Sequence, residues 1–128
     1  MTRKKTPRQW RAEMARWPDT WAGVPEDVPL GQKLVAELAP FVNDLASGTL
    51  APATVSRHMG NLWLLGGEIV RDANLDADLR RHSAAELIDE ALAPDEGPWL
   101  HDASEAEQRS FDATCRKLHR FRVAHSYL

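Results

Sequence analysis

The sequence predicts an all-α fold, and three observations carry that expectation. No run of Val, Ile and aromatic residues alternates with a period of two, so a strand signal is missing. Apolar residues recur instead at i, i+3, i+4 and i+7. Three of these stretches open with a Ser or Thr followed three residues later by Glu or Gln, the reciprocal cap of a helix start. About four or five helices account for the chain, which has no internal repeat or low-complexity segment.

The first element lies in "TPRQWRAEMARWPDTW". Thr6 is its N-cap, Pro7 takes the first helical position and Gln9 completes the capping box. Trp10, Met14 and Trp17 fall on one face, and Pro18 is expected to end the helix. "DTWAGVPEDVP" then reads as a proline-rich connector. In "LGQKLVAELAPFVNDLAS", Leu34, Leu38, Phe41 and Leu45 form one stripe. Pro40 within it implies either a kink or two abutting helices. Gly48 is the expected stop.

From Pro52 a long stripe runs through Val55, Met59, Leu62, Leu65 or Gly66, Ile69 and Ala73. Gly60, Gly66 and Gly67 weaken this helix by roughly 1 kcal/mol each relative to Ala, which is tolerable where another helix packs closely. Ser83 and Glu86 box the next helix, with Leu87, Ile88, Ala91 and Leu92 as its apolar face. After the loop "PDEGPWLHD", Ser104 and Glu107 box the last one. Its stripe is Phe111, Cys115 or Thr114, Leu118, and Phe121 or Arg122. Residues 1–29 read as a basic, Trp-bearing N-terminal arm with a short helix, and residues 30–128 as the helical domain.

A chain of 128 residues can bury a core without a disulfide or metal staple. Its one cysteine, Cys115, fits a reduced, cytoplasmic setting. No apolar run approaches the ~18 residues of a membrane span, and no apolar stretch follows the basic start as it would in a secretory signal. The net charge of −3 conceals an uneven distribution. Arg3, Lys4, Lys5, Arg8, Arg11 and Arg16 crowd the start. Arg109, Arg116, Lys117, Arg120 and Arg122 crowd the last helix. Residues 72–107 between them are acidic, opposed only by Arg80 and Arg81. Two basic ends suit a phosphate backbone, or are two solvated helix faces.

No enzyme is legible. Arg116, Lys117, His119, Arg122 and Tyr127 form the residue inventory of a tyrosine recombinase site. They are packed into a few turns of one helix, whereas phosphoryl transfer needs groups converging from several elements. Cys115 and His119 are four apart, but His58, His82, His101 and His125 are scattered without zinc-ligand spacing, so no metal and no cofactor are expected. Five tryptophans are many for this length. Trp10, Trp17 and Trp21 either pack back on the domain or form a docking face for a partner.

The order of elements resembles the N-terminal core-binding, or SAM-like, domain of phage integrases and tyrosine recombinases. A helix ending "FVNDLASGTLAPATV" is followed by a long helix, a short one opened by "SAAELIDEAL", and a last one closing "LHRFRVAHSYL". Leu50-Ala51-Pro52-Ala53-Thr54 matches that family's Leu-Ser-Pro-x-Thr turn, with Ala51 in place of the polar cap. Phe41, Leu45 and the segment Ser83–Leu87 match its first and third helices. The match covers roughly residues 30–128. It implies a compact orthogonal four-helix bundle that grips duplex DNA as half of a clamp. The sequence stops where that family's catalytic domain would begin, so strand cleavage is not among the expectations carried over. Carried over by position, Thr49, Thr54, Ser56, Arg57 and Asn61 become contacts on the turn and second helix, with Arg57, His58 and Asn61 able to reach bases. Arg116, Lys117, Arg120 and Arg122 become contacts on the fourth helix. The acidic middle departs from the broadly positive surface of a clamp.

Two functions from different classes follow. One is a non-catalytic DNA-binding module, accessory to recombination or a mobile element, acting alone, as a homodimer or beside a recombinase. The other is a protein-interaction module, antitoxin-like, anti-defence or recombinase-partner, that keeps the fold and uses its acidic stretch and Trp-bearing arm.

Overall fold

Local sequence signals set where the helices begin in the computed structural model, which describes residues 3–93 and 96–125. Among these residues there are six α-helices, one 3-10 turn and no strand: α1 (Pro7–Met14), α2 (Trp17–Trp21), α3 (Asp27–Ser47), α4 (Pro52–Leu75), the 3-10 turn Ala77–Arg81, α5 (Ala84–Ala91) and α6 (Glu105–His125). Asp95 and Tyr127 lie outside the described residues.

The capping boxes form as the sequence predicts. The Gln9 N–H donates to Thr6 Oγ1 at 3.2 Å and the Thr6 N–H to Gln9 Oε1 at 2.8 Å. Ser83 with Glu86 and Ser104 with Glu107 repeat the pattern. Each reciprocal pair satisfies backbone donors that a helix start leaves without partners.

Pro18 does not end a helix; it lies in the first turn of α2. Proline costs nothing there, because the N–H it lacks has no intrahelical partner at that position. The expected connector is correspondingly shorter, since α3 already begins at Asp27. Pro40 is accommodated inside one continuous α3, exposed on its outer side, while Leu38, Phe41, Val42 and Leu45 are buried around it. Gly48 does close α3, but with φ −82°, so the left-handed freedom of glycine is not what stops the helix.

α3 and α4 form an antiparallel hairpin. Asp27 at the start of α3 meets Asn74 at the end of α4 and Arg80 just beyond it. α6 also runs antiparallel to α4, since His58 pairs with Thr114 and Asn61 with Ser110. α5 packs on α3. The core joins Leu34, Leu38, Phe41, Leu62, Leu65, Ile88, Phe111 and Leu118, each removed from water. Burial of such side chains stabilises by roughly 1.5–3 kcal/mol apiece before the entropy of ordering is subtracted.

The N-terminal segment is not a separate arm. Trp10, Met14 and Trp21 belong to the same core cluster as Leu34 and Leu62. Two glycines make this possible. A Cβ on Gly31 would stand 2.9 Å from Pro18, and one on Gly66 would stand 2.2 Å from the Trp21 ring. α2 is therefore seated in a dent that only glycine leaves open. Asp27 fastens the same corner. Its Oδ2 accepts from the N–H groups of Gly23 and Val24 and from Asn74, and its Oδ1 accepts from Arg80 at 2.6 Å. Burial alone would raise this carboxyl's pKa, but the hydrogen bonds from Asn74, Arg80, Gly23 and Val24 outweigh it and hold the group well below the carboxylate range.

Candidate functional site

α4 and α6 meet along a polar seam. Asn61 Nδ2 donates to Ser110 O and Oγ, both at 3.1 Å, and to Thr114 Oγ1 at 2.8 Å. His58 Nδ1 lies 2.7 Å from the same hydroxyl. With Asn61 as its donor, Thr114 can give its own hydrogen to a neutral His58 ring. Burial lowers the His58 pKa, and the charges of Arg57 and Lys117 lower it further.

This corrects one expectation, at two residues. His58 and Asn61 are buried, and His58 Nδ1 and Asn61 Nδ2 are engaged between helices, so the two do not stand out with Arg57 as readers of bases. A polar residue next to the core stripe must find an internal partner, and Thr114 and Ser110 supply it.

Arg57 and Lys117 are both exposed and come from different helices, yet both act on His58. The antiparallel pairing brings the start of α4 beside the second half of α6. Thr54 is half-buried, and Ser56, Arg57, Lys117 and Arg120 are exposed there. Thr49 is exposed on the α3–α4 turn, and Lys4 Nζ donates to Gly48 O on that turn, which brings the basic N-terminus to the same end. Asp44 in the last turn of α3 is an acidic neighbour. Asp72, Asp76 and Asp78 lie at or beyond the far end of α4, and Glu105 and Glu107 lie in the first turn of α6, away from this surface.

Arg122 is not part of the open basic surface. It binds Asp89 at 2.7 Å and Glu37 at 3.5 Å, and it reaches the carbonyl of Ala85, with its side chain only 16% exposed. The Asp89 hydrogen bond raises its pKa against the opposing effect of burial. Its place on the α6 stripe beside Phe121 is the sequence signal for this inward role. Arg116 is half-buried.

The tryptophans divide. Trp10 and Trp21 are buried in the core cluster and Trp17 is half-buried against it, so the three do not stand out together as an exposed docking face. Trp21 Nε1 donates to Trp63 O at 3.0 Å. The exposed ones are Trp63 and Trp99, neither of which stands out by sequence alone. Trp99 is 73% exposed, although its neighbours are fixed. The Gly97 N–H donates to Asp112, Gln108 Nε2 to Pro98 O, and the Leu100 N–H to Gln108 Oε1.

Cys115 is buried against Gly97, and burial together with Asp112 pushes its thiol up to about 12, which leaves it inert as a nucleophile or ligand. Among the described residues, one group could approach a cation: His82, Glu86 and Glu90, with ligand atoms within 4.8 Å of one another. These are already engaged. Glu86 accepts from the Ser83 N–H, and His82 pairs with Glu90 at 3.0 Å. No helix among the described residues is long and apolar enough to cross a membrane. No protein-family model, curated protein or solved structure matches the chain.

Proposed function

We propose that this chain is a non-catalytic DNA-binding module, with the start of α4 and the second half of α6 as its phosphate-binding surface. The observation that carries this reading is the pairing of His58 with Thr114, which sets the exposed Arg57 of α4 beside the turn of α6 that bears Lys117, with Arg120 one turn beyond and the basic N-terminus drawn to the α3–α4 turn. Exposed cations from separate elements, with many of the acids toward the other end, suit a polyanion. Thr49, Thr54 and Ser56 add hydroxyl donors for phosphate oxygens. In the finer reading, residues 30–128 are the integrase-like bundle, α1 and α2 are an elaboration of it, and the role is accessory to recombination.

The test is a titration of labelled duplex DNA over a salt series. The logarithm of affinity should fall linearly with the logarithm of salt concentration, because binding releases cations condensed on the duplex and added salt opposes that release. No binding at low salt and micromolar protein refutes the reading.

One observation favours a second reading as a protein-interaction module. Trp99 is held outward by a stapled loop that also carries the exposed acids Glu96 and Asp102, which suits a partner with an apolar pocket in a basic surface. Under this reading Trp99→Ala abolishes partner binding with the melting temperature unchanged; an unaltered affinity refutes it.

A further inference from the structure

Beside the basic surface lies an open groove of about 520 Å³ with aromatic walls. Trp17 and Trp63 form its sides, Trp10 and Met59 line its depth, and Gly60 leaves it open, since no atom lies within 4 Å of where a Cβ would sit. The walls are tied together. Trp63 Nε1 donates to Thr20 Oγ1 at 2.9 Å, and that hydroxyl donates to Trp17 O at 2.7 Å. Trp63 stays 39% exposed in this fixed position. Trp10 Nε1 is buried and without a partner among the described residues.

The groove is continuous with the proposed phosphate surface. Ser56 lines it and precedes Arg57, and Arg57 is three residues before Gly60 on the same side of α4. Arg16 stands on the other rim, and the one acid there, Glu13, is already paired with Lys5. A largely apolar slot with Arg16 on its rim and Arg57 next to its Ser56 edge suits a planar ring that carries a phosphate. A paired base cannot enter it, because both faces of the base are stacked in a duplex. We propose that the groove is a stacking site for an unpaired nucleobase, so that the preferred ligand is single-stranded DNA whose flanking phosphates lie on Arg57 and Lys117. This rests on the DNA-binding reading and narrows its ligand.

Three labelled probes of equal length test it by fluorescence anisotropy at one low salt concentration: oligo-dT, an abasic oligodeoxynucleotide and a duplex. Oligo-dT should bind about tenfold more tightly than the abasic strand, which has the same phosphates and no bases. Gly60→Leu and Trp63→Ala should each erase that difference while leaving the abasic and duplex affinities unchanged. At Gly60 an added Cβ meets nothing within 4 Å, and a leucine there would extend over Ser56 into the slot; a melting temperature equal to or above the parent's then separates loss of stacking from unfolding. Trp63→Ala retains the carbonyl that Trp21 uses. If the duplex binds but oligo-dT and the abasic strand bind equally, the stacking site is refuted and the phosphate surface stands. If none of the three binds, both proposals fall.

Discussion

Gly60 and Gly66 share α4 and should respond in opposite ways to the same added methyl group. At Gly60 the new Cβ meets nothing within 4 Å, so only backbone propensity changes, and Gly60→Ala should stabilise by about 1 kcal/mol. At Gly66 the same gain is overwhelmed. The Cβ would stand 2.2 and 2.3 Å from Cζ2 and Cη2 of Trp21, a rigid ring held by its bond to Trp63 O and packed 5.7 Å from the Trp17 ring. Overpacking costs about 1–3 kcal/mol and the lost hydrogen bond about 1 more. Net of the propensity gain, Gly66→Ala should lose about 2 kcal/mol. The variants should therefore differ by about 3 kcal/mol, with propensity cancelling between them. Urea denaturation at neutral pH measures both from midpoints at constant slope. Equal stabilities would refute the argument that α2 is seated in the dent at Gly66.

Three further outcomes are expected. Asp27→Asn should cost about 3 kcal/mol at neutral pH, because it leaves Arg80 and the donors around it without their carboxylate; since the folded pKa is depressed, Asp27's contribution is complete above about pH 5 and fades as pH falls through and below about 4, so the variant's urea midpoint should vary less with acid than the parent's. The His58 ring, followed by NMR, should titrate below 6.5, and because its neutral form is favoured by folding, stability should decline as pH falls below that value; an unshifted or raised midpoint contradicts the buried seam with Thr114. Arg57→Ala and Lys117→Ala should each lower the salt slope of DNA binding by about 1, whereas Arg122→Ala should cost about 1 kcal/mol of stability and leave the slope unchanged, since its guanidinium already serves Asp89 and Glu37.

The elements with local causes were legible in the sequence. Thr6–Gln9, Ser83–Glu86 and Ser104–Glu107 mark their helix starts within a few residues, and the stripes of α3 and α4 name most of the buried side chains. Residues whose roles depend on distant partners were not legible. Asp27 looks like one acid in a proline-rich connector, and its ligands Asn74 and Arg80 are 47 and 53 residues away. The glycines of α4 look alike in sequence; only the position of Trp21 separates Gly66 from Gly60. Trp63 faces outward from α4, and nothing local shows that Thr20 holds it as the wall of a groove. For His58 and Asn61 a signal existed. Both border the stripe of Met59 and Leu62, where a polar side chain is drawn inward once a second helix packs there.

The Asp27 cluster also governs how the molecule opens. Gly23 and Val24 are solvent-exposed turn residues of the kind that exchange their amide hydrogens freely, but both amides are bound to a buried carboxylate. Exchange at these positions therefore requires the corner to break. Because the corner joins the α2–α3 turn to the far end of the α3–α4 hairpin, both amides should exchange together, through one shared opening event. In hydrogen-exchange terms, two surface positions report on the release of the whole α1–α2 unit from the bundle.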